Sequence, residues 1–168
     1  AAIDPLTQLW NRVGIRKFFD NIRSKALRNN STFAIGLVDL DRFKQINDQH
    51  GHAAGDLTLK TIASILVSTV RQTDTVGRWG GDEFLIILDS DELTKVEDIF
   101  ERIRQNITST KVKYKNESFN LSATIGVTIC EPLDDALTDD LEVILNRADK
   151  SLYKGKKSGE VGQVIYYK

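Results

Sequence analysis

The sequence predicts an α/β (α+β) domain: a central mixed, mainly antiparallel sheet flanked by helices. Three observations lead there. Segments with apolar residues at helical spacing alternate with short apolar runs of strand length. Two pairs of runs are joined as hairpins, which a doubly wound parallel sheet would not contain. Finally, 168 residues of which 40% are hydrophobic suffice for one domain with a sizeable core.

In chain order, Asp4-Pro5-Leu6-Thr7-Gln8-Leu9 carries turn chemistry, with Pro after Asp. From Asn11 to Arg28, Val13, Ile15, Phe18, Phe19, Ile22 and Ala26 mark an amphipathic helix, closed by Asn29-Asn30. The run Phe33 to Val38 is a buried strand that ends in Asp39-Leu40-Asp41. A short helix spans Phe43 to Gln49, with Gly51 as its stop. Residues Gly51 to Asp56 read as a loop, and Asp56 as the N-cap of a long helix through Leu57, Leu59, Ile62, Ile65, Leu66 and Val70.

Arg71-Gln72-Thr73-Asp74 leads into the first hairpin. Val76 to Trp79 and Phe84 to Leu88 are its strands, and Gly80-Gly81 supplies the positive φ its turn would use. Thr94 is placed to cap a helix carrying Val96, Ile99, Phe100, Ile103 and Ile107. Lys111 to Tyr114 and Phe119 to Ile129 form the second hairpin, over Asn116. An acidic, loop-like stretch from Glu131 to Asp140 precedes a helix from Leu141 to Lys157, and Val164 to Tyr167 is a last strand.

Charge and composition narrow the function. With 23 Lys and Arg against 24 Asp and Glu, the net charge of -1 points to neither nucleic acid nor a membrane surface as a partner. No apolar run reaches membrane-spanning length and no signal peptide is visible. The single cysteine, Cys130, cannot form an internal disulfide. It reads as a small buried hydrophobe of a reducing, cytoplasmic compartment. Residues 1–168 make a single domain. A chain without methionine that starts Ala1-Ala2-Ile3 reads as part of a longer multidomain protein, whose other segments could tether it to a membrane. No Ser/His/Asp or Cys/His set supports a nucleophilic triad.

The candidate chemistry gathers at two strand ends. Asp82 and Glu83 follow the bare Gly80-Gly81 backbone, which suits a hard cation bound to phosphate beside a closely approaching nucleotide. The plainer reading is a solubilised turn. Asp39 ends an interior strand, and if that strand lies beside the hairpin, Asp39 and Asp82 converge. Two carboxylates and a main-chain carbonyl would then hold Mg²⁺. Lys44, one helical turn on, could reach the phosphates. Asn47 and Asp56 pair a donor with an acceptor, as a guanine edge requires, although surface polarity and helix capping explain them equally simply. His52 alone reads as a loop residue. Lys150, Lys154, Lys156 and Lys157 either complement a helix C-terminus or, at Lys156 above all, clamp phosphate.

These segments together resemble the GGDEF domain of diguanylate cyclases, from Asp4 to about Gly159. Gly80-Gly81-Asp82-Glu83-Phe84 is that family's name-giving motif. Asp4 to Arg12 is similar to its opening D-x-L-T-x-L-x-N-R. Asp39 to Asp48 is similar to its D-x-D-x-F-K-x-I-N-D, and Gly51-His52 with Gly55-Asp56 to its G-H-x-x-G-D. The resemblance implies a sheet like that of nucleotidyl cyclases and polymerase palms. It implies two domains in a homodimer, each holding one GTP, with each 3′-hydroxyl attacking the opposite α-phosphate to give cyclic di-GMP and two pyrophosphates. Asp39, the Leu40 carbonyl, Asp82 and Glu83 would hold Mg²⁺, with Mn²⁺ as a substitute. Asp82 would also accept the hydroxyl proton, and Lys44 would stabilise phosphate charge. Asn47 and Asp56 would read guanine with His52 close by, while Gly80 and Gly81 would lie along ribose and phosphate.

Two further features follow from the resemblance. Arg71 to Asp74 matches the family's R-x-x-D inhibitory site, where Arg71 and Asp74 would bind product cyclic di-GMP and Arg102 would add a second arginine. The family's closing A-K-x-x-G-R-N is only partly kept. Lys156 matches its lysine, but Glu160 stands where an arginine is expected, which implies weaker GTP binding. An alternative is a domain that receives GTP or cyclic di-GMP without turnover.

Overall fold

The computed structural model describes residues 1–131 and 140–168. Five strands build the central sheet: β1 (Phe33–Leu40), β2 (Thr75–Arg78), β3 (Glu83–Leu88), β6 (Ala123–Cys130) and β7 (Val164–Tyr166), in the order β2-β3-β1-β6-β7. Every neighbouring pair is antiparallel except β6 with β7. A separate hairpin, β4 (Lys111–Tyr114) and β5 (Glu117–Asn120), stands outside it. The helices are α1 (Arg12–Asn29), α2 (Phe43–His50), α3 (His52–Thr69), α4 (Leu93–Thr108) and α5 (Leu141–Lys157).

Strand parity explains why β1 is apolar almost throughout. Successive side chains point to opposite faces, and both faces are covered. Ala34 and Val38 join Leu59, Ile62 and Leu66 of α3 and Ile99, Phe100 and Ile103 of α4 in one core. Phe33 and Ile35 join Ile15, Phe19 and Ile22 of α1 and Ile144 and Leu145 of α5 in the other. Leu37 packs on Ala148 and Leu152 of α5. The same alternation runs along β3. Phe84, Ile86 and Leu88 lie on the α3/α4 side, and Leu85 and Ile87 on the α1/α5 side.

Several local expectations change. Helix α3 starts at His52, so Asp56 lies inside its first turns instead of capping it. Gly51 (φ 91°) closes α2 and opens α3 at once, leaving no loop to be capped. Glu92, not Thr94, stands at the N-cap of α4. Neither Gly80 nor Gly81 has a positive φ, so the turn does not use the left-handed conformation expected of them. The run Phe119 to Ile129 breaks at Leu121-Ser122, giving β5 to the small hairpin and β6 to the main sheet. Tight return over Asn116 is possible because Lys115 adopts a left-handed conformation (φ 54°). The acidic stretch falls mostly on residues 132–139, outside the described residues. Cys130 is buried.

Candidate active site

Register puts the acidic residues together. Asp39 pairs directly with Glu83 across β1 and β3, and the Leu40 amide donates to the Asp82 carbonyl at 3.4 Å. The turn before Glu83 is closed by the Trp79 and Gly80 amides, which both donate to the Glu83 carbonyl (2.9 and 3.2 Å). A Cβ on Gly81 would meet nothing within 4 Å, so this part of the turn faces open space where another molecule could approach. A Cβ on Gly80 would collide with Glu83 Oε1 at 2.6 Å; this glycine therefore makes room for the Glu83 carboxylate.

Electrostatics mark the cluster as a place short of positive charge. The Asp39 carboxyl is pushed above its ordinary pKa, chiefly by burial and further by the charges of Asp82 and Asp41, against the pull of Lys156. Glu83 is raised in the same way, by burial and then by Asp39, Asp82 and Asp149, with Arg12 opposing. Lys156 Nζ donates to Asp39 Oδ2 at 2.5 Å, so an ammonium already lies against the carboxylate that would ligate a metal. Among the described residues, no group of three or more His, Cys, Asp or Glu side chains forms a ready metal cage. Mutually repelling carboxylates beside main-chain oxygens, with a lysine standing in as the cation, are nevertheless a donor set that fits Mg²⁺.

The other expected residues follow along the chain. A left-handed Arg42 (φ 58°) turns β1 into α2, and Lys44 stands exposed on the first turn of that helix. Asn47, further along α2, lies against Gly55 of α3, where a Cβ would come within 1.9 Å of its Oδ1. Gly55 is thus what lets Asn47 sit between the helices. His52 and Asp56 are exposed and four residues apart on α3, so they share the face beside that contact.

Three residues that sequence reasoning left out hold the turn in place. Arg78 reaches Asp4 at 3.3 Å and donates to the Gly81 carbonyl at 2.8 Å, joining the opening turn to the acidic one. Asp4 also accepts from the Thr7 amide and hydroxyl (2.9 and 2.7 Å). Arg12 donates to the Trp79 carbonyl at 2.7 Å and stacks on the Trp79 ring, 4.6 Å from its centroid. Asp41, visible in the D-x-D pattern, is buried and accepts from the hydroxyls of Ser122 (2.6 Å) and Thr124 (2.7 Å). Opposite charges two residues before a Gly-Gly turn and at the start of the chain were the available signal for the Arg78 strut.

The R-x-x-D segment is differently disposed. The Asp74 side chain is fully buried and accepts from the Arg71 amide, Nε and Nη2 and from the Asp89 amide, all at 2.9–3.0 Å. Its oxygens are therefore already engaged. Arg71 keeps a partly exposed guanidinium beside a cavity of about 390 Å³ whose walls include Trp10, Val67 and Val70. Arg102 is exposed on α4 and takes no part in these bonds. Glu160 is exposed. It lines a groove between α5 and β7 with Lys150 and Lys154, accepting from Ser158 Oγ at 3.3 Å, while Lys156 reaches Asp39.

Residues 1–161 match the family described as diguanylate cyclase, GGDEF domain. The chain belongs to the GGDEF family. Among its relatives, diguanylate cyclase DgcP of Pseudomonas aeruginosa is 33% identical over 159 residues, covering 95% of this chain and 23% of its own length. Diguanylate cyclase DgcZ of Escherichia coli is 34% identical over 159 residues, covering 94% of this chain and 51% of its own. The chain thus spans at most about half the length of these relatives. Of solved structures, diguanylate cyclase SiaD of Pseudomonas aeruginosa, in complex with its activator SiaC, superposes with a TM-score of 0.90 at 31% identity. That match covers 99% of this chain and 62% of SiaD. The GGDEF domain of DgcB from Caulobacter crescentus, in complex with cyclic di-GMP, gives 0.89 at 26% identity, covering 99% and 93%. The mixed sheet and its flanking helices are those of a GGDEF cyclase domain.

Proposed function

We propose that this domain condenses two molecules of GTP into cyclic di-GMP and two pyrophosphates, working as a homodimer with Mg²⁺, or Mn²⁺ in its place. The observation that carries this reading is the meeting of Asp39, Asp82 and Glu83 at one end of the sheet in a GGDEF domain, with Lys156 already paired to Asp39. Asp39, the Leu40 carbonyl, Asp82 and Glu83 would hold the metal. When bound, Mg²⁺ supplies a Lewis acid that lowers the pKa of the attacking hydroxyl and neutralises the leaving pyrophosphate. The chain's residues do the rest. Asn47 and Asp56 hold guanine, with His52 near the substrate. Gly81 lets ribose and phosphate approach the turn. Lys44 and Lys156 offset phosphate charge. Asp82 accepts the 3′-hydroxyl proton as the new O–P bond forms and the bond to pyrophosphate breaks; Glu83, held above its ordinary pKa, is the neighbouring carboxyl able to share that role.

Product inhibition is part of the same reading. The exposed Arg71 guanidinium would fork onto cyclic di-GMP phosphate or stack on its base, Arg102 would add a second cation, and buried Asp74 would aim Arg71. A non-catalytic receptor is the alternative, suggested by Glu160, an exposed carboxylate that lines the α5/β7 groove and accepts from Ser158 Oγ at 3.3 Å; weaker GTP binding remains what it implies. The test is chromatography of products from GTP and Mg²⁺ over a series of protein concentrations. Cyclic di-GMP should appear at a rate per protein that rises with concentration, and Asp82→Asn should lower turnover by about 10²-fold or more. Binding of GTP with no product from the wild-type domain at any concentration would leave only the receptor.

A further inference from the structure

Lys156 lies between two acids of different kinds. Its Nζ is 2.5 Å from Asp39 Oδ2 and 3.8 Å from Asp41 Oδ1. Asp39 belongs to the proposed metal site. Asp41 has no part in the proposed chemistry, and its side chain is 2% exposed. Both its oxygens are fixed, one by the Ser122 hydroxyl and the other by the Thr124 hydroxyl. The Thr124 oxygen in turn accepts from the Gly162 amide at 3.0 Å, which ties this arrangement to the turn after α5. A buried carboxylate calls for a counter-charge, and Lys156 is the cation paired with it. The lysine side chain itself is 34% exposed and hangs from the last turn of α5, so its ammonium has room to move.

We propose that Lys156 is an exchangeable internal cation of the active site. Without nucleotide, its ammonium neutralises Asp39 in the place a divalent metal would take. When metal and triphosphate arrive together, the metal displaces the ammonium from Asp39, Asp41 keeps it close, and the phosphate oxygens become its new partner. The inference rests on the cyclase reading of the site and adds an order to it. Free metal must break the Lys156–Asp39 pair without return, whereas metal carried by GTP brings the anion that receives the lysine. The site therefore discriminates against free divalent cations and in favour of the metal–nucleotide complex.

The experiment is electron paramagnetic resonance titration of Mn²⁺ into nucleotide-free protein, comparing wild type with Lys156→Met and Lys156→Arg. Lys156→Met should bind free Mn²⁺ about tenfold more tightly, because an ion pair no longer competes. Lys156→Arg, which keeps the charge, should stay near wild type. With a GTP analogue carrying a methylene at the α,β bridge, Lys156→Met should bind the Mn²⁺ complex more weakly than wild type does. Opposite signs for metal and for metal–nucleotide are the signature; a purely structural lysine would weaken both. Equal or weaker binding of free Mn²⁺ by Lys156→Met, or no binding to either protein, overturns the exchange, with circular dichroism verifying the fold. Failure of the cyclase reading would show separately, as no cyclic di-GMP made by the wild type while the free-Mn²⁺ affinities still differ.

Discussion

Gly55→Ala separates the proposed guanine site from the fold. Gly55 lies inside α3 beneath Asn47 of α2, and an added Cβ would stand 1.9 Å from Asn47 Oδ1, 2.9 Å from its Cγ and 3.4 Å from Phe43 Cζ. The third distance is ordinary contact. The first two belong to a side chain that can turn, so the backbone can stay while Oδ1 withdraws by roughly 1.5 Å (3.4 − 1.9), a shift large enough to lose a placed hydrogen bond. Alanine in a helix interior gains up to about 1 kcal/mol over glycine, and an off-rotamer Asn47 costs about 0.5–1.5 kcal/mol. These nearly cancel, so Tm should stay within about 4 °C of wild type. Binding should not be spared. Loss of one or two hydrogen bonds to guanine costs about 1–3 kcal/mol, roughly a tenfold to hundredfold rise in KM for GTP. At saturating GTP, kcat should change little, since ground and transition states lose the same contact. The assay is cyclic di-GMP production against GTP concentration, with thermal unfolding alongside. An unchanged KM at an unchanged Tm would refute the assignment of Asn47 to guanine.

Three further substitutions test the electrostatics. The raised pKa of Glu83 means that the folded, metal-free domain holds this proton more tightly than the unfolded chain does, so stability is lost as pH rises from the ordinary value, about 4.5, through the folded one. Glu83→Gln should therefore raise Tm by a few degrees at pH 7–8 in a chelator. The gain should vanish below about pH 4, where both states are protonated. An identical Tm difference at both pH values would contradict the repulsion. At the R-x-x-D segment, Asp74→Ala removes the acceptor of four hydrogen bonds from a buried position, at about 2–4 kcal/mol, or a Tm fall of roughly 5–12 °C. Arg71→Ala should cost less than half as much, yet should abolish inhibition by cyclic di-GMP equally. An Asp74→Ala Tm within about 2 °C of wild type would show that burial of this carboxylate does not hold the loop.

Much of this was legible in the chain, and the parts that were not share a physical cause. The apolar run Phe33 to Val38 foretold an interior strand, and the hairpin around Gly80-Gly81 foretold its antiparallel neighbour, because period and turn composition are local properties. What failed needed knowledge of a partner. Asp56 looked like a cap because nothing local says that Gly51 can end one helix and start the next. The glycine pair was expected both to supply a positive φ and to leave bare backbone; the first is absent, while Gly81 does leave space above the turn and Gly80 makes room for Glu83. Asp74 was legible as part of the R-x-x-D segment, but nothing local says that its side chain is buried against Arg71 and the Asp89 amide.

The contact between Lys156 and Asp39, 117 residues apart, is the least legible of all in a list of motifs, yet strand parity contains half of it. Phe33, Ile35 and Leu37 pack toward α1 and α5, so Asp39, two residues on, faces the same side. Leu85 and Ile87 of β3 do likewise, which carries Glu83 there too. The alternation that buries the core is thus also what delivers two carboxylates to the face that α5 covers, and a lysine in the last turn of α5 is then the cation placed to meet one of them, Asp39. The remaining half, the depth of α5 along the sheet, is fixed by Ala148 and Leu152 packing on Leu37. Core packing and charge placement in this domain are consequently one constraint: a shift of α5 that repacked Leu37 would also move Lys156 away from Asp39.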